Sequence, residues 1–312
     1  MNRCLYCYLP LAENAVDFHG SCAKKIFGLD LPPTLPFSES DIESLAKEVI
    51  LSQTSITGVQ SKLSLHIANN KSEKGKRFTI VGLWGGYILK PPTLTYPQLP
   101  EVEDVTMHLA SIAKIKTAPH CLIRLTTGNL AYVTKRVDRY KKNKLAMEDM
   151  CQLTERLTED KYHGSYEQIA KAIKKYSTTS GLDVVNFFEL VLFSFLTGNA
   201  DMHLKNFSLL EQPGLGMTLA PSYDLVNTAL VNPMDNEELA LTLNGKKKNL
   251  KKQDFIAAMN TSKLDGKQQE NIFSKMEKSR TKWMHQIEIS FLSEEFKKRY
   301  KSLVNDRFDR LK

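Results

Sequence analysis

Between Ser61 and Ile67 apolar and polar residues alternate. Leu63, Leu65 and Ile67 fall on one side, the period-two pattern of a half-buried strand. A polar turn rich in Lys, Asn and Ser separates it from Phe78–Leu83, and the run Tyr87–Lys90 reads as a further strand. Cys121–Leu125 and Leu130–Val137 flank Thr127-Gly128-Asn129, a hairpin signal. Two helices interleave with these strands. Ser40–Leu51 has Ser40 as N-cap, Glu43 as its capping-box partner, and Leu45, Val49 and Ile50 as apolar face. Glu101–Ala113 repeats Val102, Val105, Leu109 and Ile112 at helical spacing. Beyond about residue 145 the period becomes helical: Met147–Leu157, Tyr166–Tyr176 and Leu182–Leu196, then a β insertion at Phe207–Leu210 and Met217–Leu219, then helices from Gln253 onward. A β-rich half followed by a helical half predicts an α+β fold in two lobes.

The first 28 residues stand apart, ahead of a stiff Pro-rich linker at Leu31–Pro36. The expected organisation is a small Cys/His-containing segment at 1–28, an N-lobe at 38–139 and a helical C-lobe at 140–312. Of the 312 residues, 42% are hydrophobic and 25% charged, the balance of a globular chain with a core of normal size. The net charge of +8 favours anionic partners without choosing among nucleotides, acidic proteins and nucleic acid, and a solvated Lys-rich face is the simpler account of it. The most apolar stretch, Val184–Gly198, is interrupted by Asn186 and Glu189 and is too short for a membrane span, so a buried helix is expected. No secretory signal opens the chain. Five cysteines without one point to a cytoplasmic, reducing setting, with free thiols or a metal site rather than disulfides.

The chemistry concentrates in Gly198-Asn199-Ala200-Asp201-Met202-His203-Leu204-Lys205-Asn206, with Ser222-Tyr223-Asp224 some eighteen residues on. Phosphoryl transfer needs a carboxylate to orient the attacking hydroxyl and take its proton. It also needs an amide oxygen and a second carboxylate for magnesium. Asp201 and Asn206 stand five apart, as base and amide do in protein kinases, and Asp224 follows a strand-turn-strand. His203 and Lys205 either contact phosphates or brace the loop. An Asp and Asn at this spacing recur by chance in many chains; the apolar helix before them and the Asp after them make the set specific. Upstream, Thr54–Lys62 is a small-residue turn whose N–H groups can cradle phosphates. It has one glycine and also reads as an ordinary β-turn. Lys90 closes an apolar strand, either as a surface strand end or as a lysine that grips phosphates, held by Glu103 or Glu101 on the next helix.

Together these blocks resemble the HipA-like serine/threonine kinase toxins of bacterial toxin–antitoxin modules. The match runs in family order over roughly residues 40–300, through Ser55–Lys62, Ile88-Leu89-Lys90, Leu99-Pro100-Glu101-Val102-Glu103, Val133–Arg139 with Met147–Gln152, and Asp201–Asn206 with Tyr223-Asp224. The resemblance implies a two-lobed protein-kinase-like fold with ATP and magnesium. Thr57, Gly58, Val59, Gln60, Ser61 and Lys62 would wrap the phosphates, Lys90 would bind them, and Lys135, Arg136 and Val137 would meet the adenine. Asp201 would be the base. His203, Leu204, Lys205, Asn206, Tyr223 and Asp224 would line the nucleotide, and Asn206 and Asp224 would bind magnesium. Ser55 matches the loop serine that family members autophosphorylate, and Thr57 is a second hydroxyl in that loop; a phosphate there would repel ATP. Family targets are aminoacyl-tRNA synthetases. Longer members carry an extra N-terminal subdomain before the loop. This chain looks like the short, HipT-like form, in which that subdomain is a separate small antitoxin protein. A DNA-binding antitoxin is the expected route to DNA, so neither direct nucleic-acid binding nor a membrane partner is expected.

Cys4-x-x-Cys7 and His19-x-x-Cys22 have spacing that suits a tetrahedral zinc site, with free thiols on a small docking segment as the alternative. Cys121 and Cys151 sit in apolar patterns and read as core. Two other functions fit part of the pattern. A small-molecule or lipid kinase uses a similar Asp-Asn-Asp arrangement, whereas the paired Ser55 and Thr57 favour a self-modifying protein kinase. A non-enzymatic nucleic-acid-binding regulator would use the basic run Lys246–Lys248 with Lys251 and Lys252, although the neighbouring Asn244-Gly245 turn favours a solvated loop.

Overall fold

The structure, a computed structural model, describes residues 2–52, 62–69, 75–81, 84–140 and 143–312. The chain divides into two compact units. The first comprises Met1–Asp104, Ala118–Arg136 and Ile289–Phe291; the second comprises Val105–Thr117, Val137–Glu288 and Leu292–Lys312.

The first unit runs α1 (Gly20–Phe27), α2 (Glu39–Ser52), β1 (Leu63–Asn69), β2 (Lys76–Val81), β3 (Tyr87–Lys90), the start of α3 (Leu99–Ile112), β4 (His120–Arg124) and β5 (Leu130–Lys135). The strands form an antiparallel sheet in the order β2-β1-β3-β5-β4. Leu63 and Leu65 are buried on it as the alternation predicts, Ile67 of the same pattern is half-buried, and Leu89 of β3 is buried beside them. The N-terminal segment shares this core: Leu5, Phe18, Ile26 and Phe27 pack with Phe78, Tyr87 and Leu122 in one apolar cluster. Two local readings are corrected. Helix α1 went unpredicted: it is only eight residues long, although Cys22, Ala23, Ile26 and Phe27 form its buried face. The cap of α2 is Ser38, not Ser40: Ser38 Oγ accepts from the Asp41 N–H, and Asp41 accepts from the Ser38 N–H at 2.8 Å.

The second unit continues α3 and adds β6 (Arg139–Tyr140), β7 (Asn143–Lys144), β8 (Met147–Asp149), α4 (Met150–Leu153), α5 (Tyr166–Tyr176), α6 (Ser180–Leu196), β9 (Ser208–Gln212), β10 (Gly216–Leu219), α7 (Thr228–Val231), α8 (Lys252–Thr261), α9 (Gly266–Glu288) and α10 (Glu294–Asp309). The helix expected over Met147–Leu157 is instead a strand and a short helix. Met147–Asp149 pairs with Ser208–Leu210 of β9, and Asp149 then caps α4 in a box with Gln152. Tertiary pairing overrides the local pattern there. Helix α6 is buried through most of its length, which is why its sequence is apolar nearly all round. Among the described residues no helix is long and apolar enough to cross a membrane.

Candidate functional site

Helix α6 delivers the loop that carries Asp201. It ends at Leu196, and Gly198 turns the chain with φ 71. A Cβ at Gly198 would lie 2.8 Å from Asn227 Oδ1 and 3.0 Å from Leu303 Cδ2, so glycine is required on both counts. Thr228, at the start of α7, clamps the turn: its hydroxyl donates to the Gly198 carbonyl and accepts from the Ala200 N–H at 2.8 Å.

The backbone around Asp201 is then closed by its own loop. Its N–H donates to Asn199 Oδ1 at 3.2 Å. Its carbonyl accepts from the His203 N–H and from Asn206 Nδ2, both at 2.8 Å. The five-residue spacing therefore has a geometric cause: Asn206 reaches back to lock the Asp201 backbone. Binding through nitrogen leaves the Asn206 amide oxygen without a donor among the described residues. The Asp201 side chain is 49% exposed. Tyr162 donates its hydroxyl to Asp201 Oδ1 at 2.6 Å, and Oδ2 accepts from no donor among the described residues. Burial, followed by this bond to a carboxylate, pushes the Tyr162 phenol well above its usual pKa.

His203 lies beneath the loop, its Nε2 4.0 Å from Asp201 Oδ1, too long for a hydrogen bond. Burial lowers its pKa, against the opposing charge of Asp201, which holds it as neutral imidazole. Asp224 lies near enough that its charge also acts on this ring. Asp224 has φ 60, the left-handed region that non-glycine residues rarely adopt. Its segment is anchored upstream, where the Ser222 N–H donates to the Lys116 carbonyl at 2.7 Å. Tyr223 bonds Ser208 Oγ at 2.6 Å and donates to the Lys205 carbonyl. Lys205 pairs with Asp149 at 2.8 Å, which favours bracing over a free phosphate contact. Leu204 is buried.

In the first unit Lys90 is 4% exposed and donates to Glu103 Oε1 at 2.5 Å; Glu103 is fully buried. Lys90 also lies over the Tyr132 ring, 5.5 Å from its centroid. Of the two glutamates weighed as its partner, Glu103 makes the pair. Two residues along a helix turn the side chain through about 200°, so Glu101 faces elsewhere. Burial, with the charge of Asp104 adding to it, raises Glu101 to about 7. Ser55, Thr57, Gly58, Val59, Gln60 and Ser61 lie outside the described residues, and Lys62 is exposed. Lys135 is exposed, its N–H donating to the Pro119 carbonyl, while the Arg136 N–H donates to Gly86. Val137 begins the second unit's next segment.

Tyr162, Asn199 and Thr228 were not singled out from the sequence. Asn199 lies inside the recognised stretch. Tyr162 sits on a turn far from it in sequence, with no periodic or motif signal.

The model of the HipA-like C-terminal domain matches residues 54–283. The chain belongs to the HipA-like kinase family. A Haemophilus influenzae relative named "Putative kinase" is 30% identical over 249 residues, covering 73% of this chain and 69% of the relative. "Putative kinase Y4dM" of Sinorhizobium fredii is 32% identical over 186 residues, and there the chain spans only 45% of the relative's length. Two solved structures share the fold. HipA of Shewanella oneidensis MR-1, in complex with HipB and operator DNA, aligns with TM-score 0.67 and 20% identity over 90% of this chain and 73% of that one. The Helicobacter pylori proinflammatory kinase CtkA aligns with TM-score 0.56 and 16% identity over 79% of this chain and 93% of that one. The HipA-like chain is thus α+β with a protein-kinase-like fold.

Proposed function

We propose that this HipA-like chain is an ATP- and magnesium-dependent serine/threonine protein kinase, the toxin of a bacterial toxin–antitoxin module. The observation that carries the reading is the Asp201 loop: a half-exposed carboxylate whose backbone is locked by Asn206, with Asp224 held nearby in a strained conformation. The donors fit magnesium, which takes oxygen ligands. The Asn206 amide oxygen and the Asp224 carboxylate would hold it, and when bound it neutralises charge on the triphosphate. Asp201 orients the acceptor hydroxyl through Oδ2 and accepts its proton as the new O–P bond forms and the bond from the γ-phosphorus to the leaving oxygen breaks, releasing ADP. Tyr162 holds the other carboxylate oxygen and fixes its direction. Neutral His203 adds no competing positive charge beside the base. Lys90, kept straight by Glu103, supplies a cation for ATP phosphates.

The expected protein substrate is an aminoacyl-tRNA synthetase, and Ser55 and Thr57 are the expected self-modified hydroxyls. The Shewanella neighbour was solved with HipB and DNA, which supports a DNA-binding antitoxin as partner; a second small protein would replace the N-terminal subdomain of longer relatives. In the basic run, Lys246 is engaged by Asp254 and Lys247 by Glu237, which leaves less of it for nucleic acid. The test is the initial rate of phosphoryl transfer to a panel of purified synthetases and serine/threonine peptides, with magnesium or with chelator, for the parent and Asp201→Ala. Transfer that requires both magnesium and Asp201 is expected. Transfer confined to small-molecule acceptors, or unchanged in Asp201→Ala, would overturn the reading.

A further inference from the structure

The first unit carries a second cluster of ligating groups that the phosphoryl-transfer chemistry does not use. The ligand atoms of Cys4, Cys7, His19 and Cys22 all lie within 4.8 Å of one another. His19 Nδ1 is 3.4 Å from Cys7 Sγ and 3.8 Å from Cys22 Sγ. Around one tetrahedral zinc, with bonds of about 2.3 Å to sulfur and about 2.0 Å to nitrogen, a sulfur and a nitrogen stand about 3.5 Å apart and two sulfurs about 3.8 Å. The observed separations match one shared ion, and the cluster is too tight for a multi-iron centre.

The surroundings orient each ligand. His19 Nε2 faces the Pro10 carbonyl at 3.0 Å, and a carbonyl only accepts, so Nε2 carries the proton and Nδ1 presents its lone pair to the sulfurs. His19 is the N-cap of α1 yet makes no capping bond, because its ring is committed to the cluster. The knuckle is closed by the Cys4 N–H to Leu9 carbonyl bond and the Tyr8 N–H to Cys4 carbonyl bond, both 2.9 Å.

We propose that Cys4, Cys7, His19 and Cys22 bind one zinc ion as a closed structural site, and that this ion holds Tyr8 in place. Tyr8 follows the Cys-x-x-Cys knuckle with φ 66, a conformation a bulky residue keeps only when its surroundings impose it. Its buried hydroxyl donates to Asp104 Oδ2 at 2.5 Å, and His120 Nδ1 meets the other oxygen at 2.6 Å. Asp104 adjoins Glu103, the partner of Lys90, on α3. The metal therefore fixes the start of the helix that holds the buried lysine. The site stands whether or not the chain proves to be a kinase.

The experiment is metal analysis of the full chain purified without chelator, followed by cobalt(II) replacement. About one zinc per chain is expected, exchangeable for cobalt with the intense visible absorption of a tetrahedral centre and thiolate-to-cobalt charge-transfer bands. Cys22→Ser and His19→Ala are expected to weaken zinc binding by at least about 100-fold, while Cys151→Ser, outside the cluster, keeps full occupancy. Should Cys22→Ser fail to fold, the cobalt spectrum of the parent still decides the matter. Iron in place of zinc, a disulfide among these cysteines, an octahedral cobalt spectrum, or less than about a tenth of an equivalent of zinc after reconstitution would each overturn the proposal.

Discussion

Two clusters of ligating side chains contrast within this molecule. Asp201, Asn206 and Asp224 offer hard oxygen atoms, and Asp201 is half exposed with one carboxylate oxygen that has no donor among the described residues. Cys4, Cys7, His19 and Cys22 offer soft sulfur and nitrogen atoms, with the His19 ring oriented by the Pro10 carbonyl. The first includes a residue at positive φ, Asp224 at φ 60, and the second lies beside one, Tyr8 at φ 66. The difference lies in what is left unsatisfied. A site that must bind and release substrate keeps open valences, whereas a site that only fastens the chain spends all four on one ion. Function should therefore be sensitive to the first cluster and folding to the second.

The comparison can be broken from its strongest end. Asp201→Asn keeps the size and hydrogen-bond acceptor of the side chain but removes the base, so transfer should fall by about 10²–10⁴-fold. Because the side chain is half exposed, the melting temperature should shift by no more than about 0.5 kcal/mol would produce. Parallel rate and melting measurements check both. A large loss of stability would mean that the loop is structural after all.

Glu103→Gln tests the buried anchor that the zinc knuckle reaches through Asp104. It removes the carboxylate charge that faces the buried Lys90 ammonium, and denaturant melts should show a loss of about 3–5 kcal/mol. A change below 1 kcal/mol, by the same measure, would show that the pair carries little.

Glu101 sharpens the comparison through pH. Its folded pKa is raised, to about 7, so its contribution is fully present below the ordinary value of 4.5 and is lost as pH rises through about 7. Glu101→Gln should therefore gain about 2–3 kcal/mol over the parent at pH 8 and match it near pH 4. Equal pH profiles for the two proteins would contradict this environment. The smallest effect is expected from Lys205→Ala, which removes a partly exposed pair with Asp149: about 1 kcal/mol or less in stability, with a modest loss of rate from a looser loop.

How much of this was legible in sequence depends on how local each feature is. The Asp201 loop is local. Asp201, Asn206 and the apolar helix α6 fall in one stretch, and the Asn206-to-Asp201 bond explains the spacing that made it readable. The strand Tyr87–Lys90 and the helix Tyr166–Tyr176 have the bounds their patterns predicted. Choices made across space were not legible. Glu101 and Glu103 are equal candidates on paper, and only packing turns Glu103 inward. Tyr162 meets Asp201 from a turn that no pattern marks. Met147–Asp149 carries a helical pattern yet pairs as a strand, because β9 offers it a ladder. In the N-terminal segment the ligand spacing was visible, but not the shared core with the sheet or the reach of Tyr8 to Asp104.

The most direct test of the central claim is phosphate mapping by mass spectrometry on the dephosphorylated chain after incubation with ATP and magnesium, with Asp201→Ala beside it. Phosphoserine or phosphothreonine at Ser55 or Thr57 in the parent alone is the predicted result. No phosphate in either sample, or equal phosphate in both, would contradict a kinase that works through Asp201.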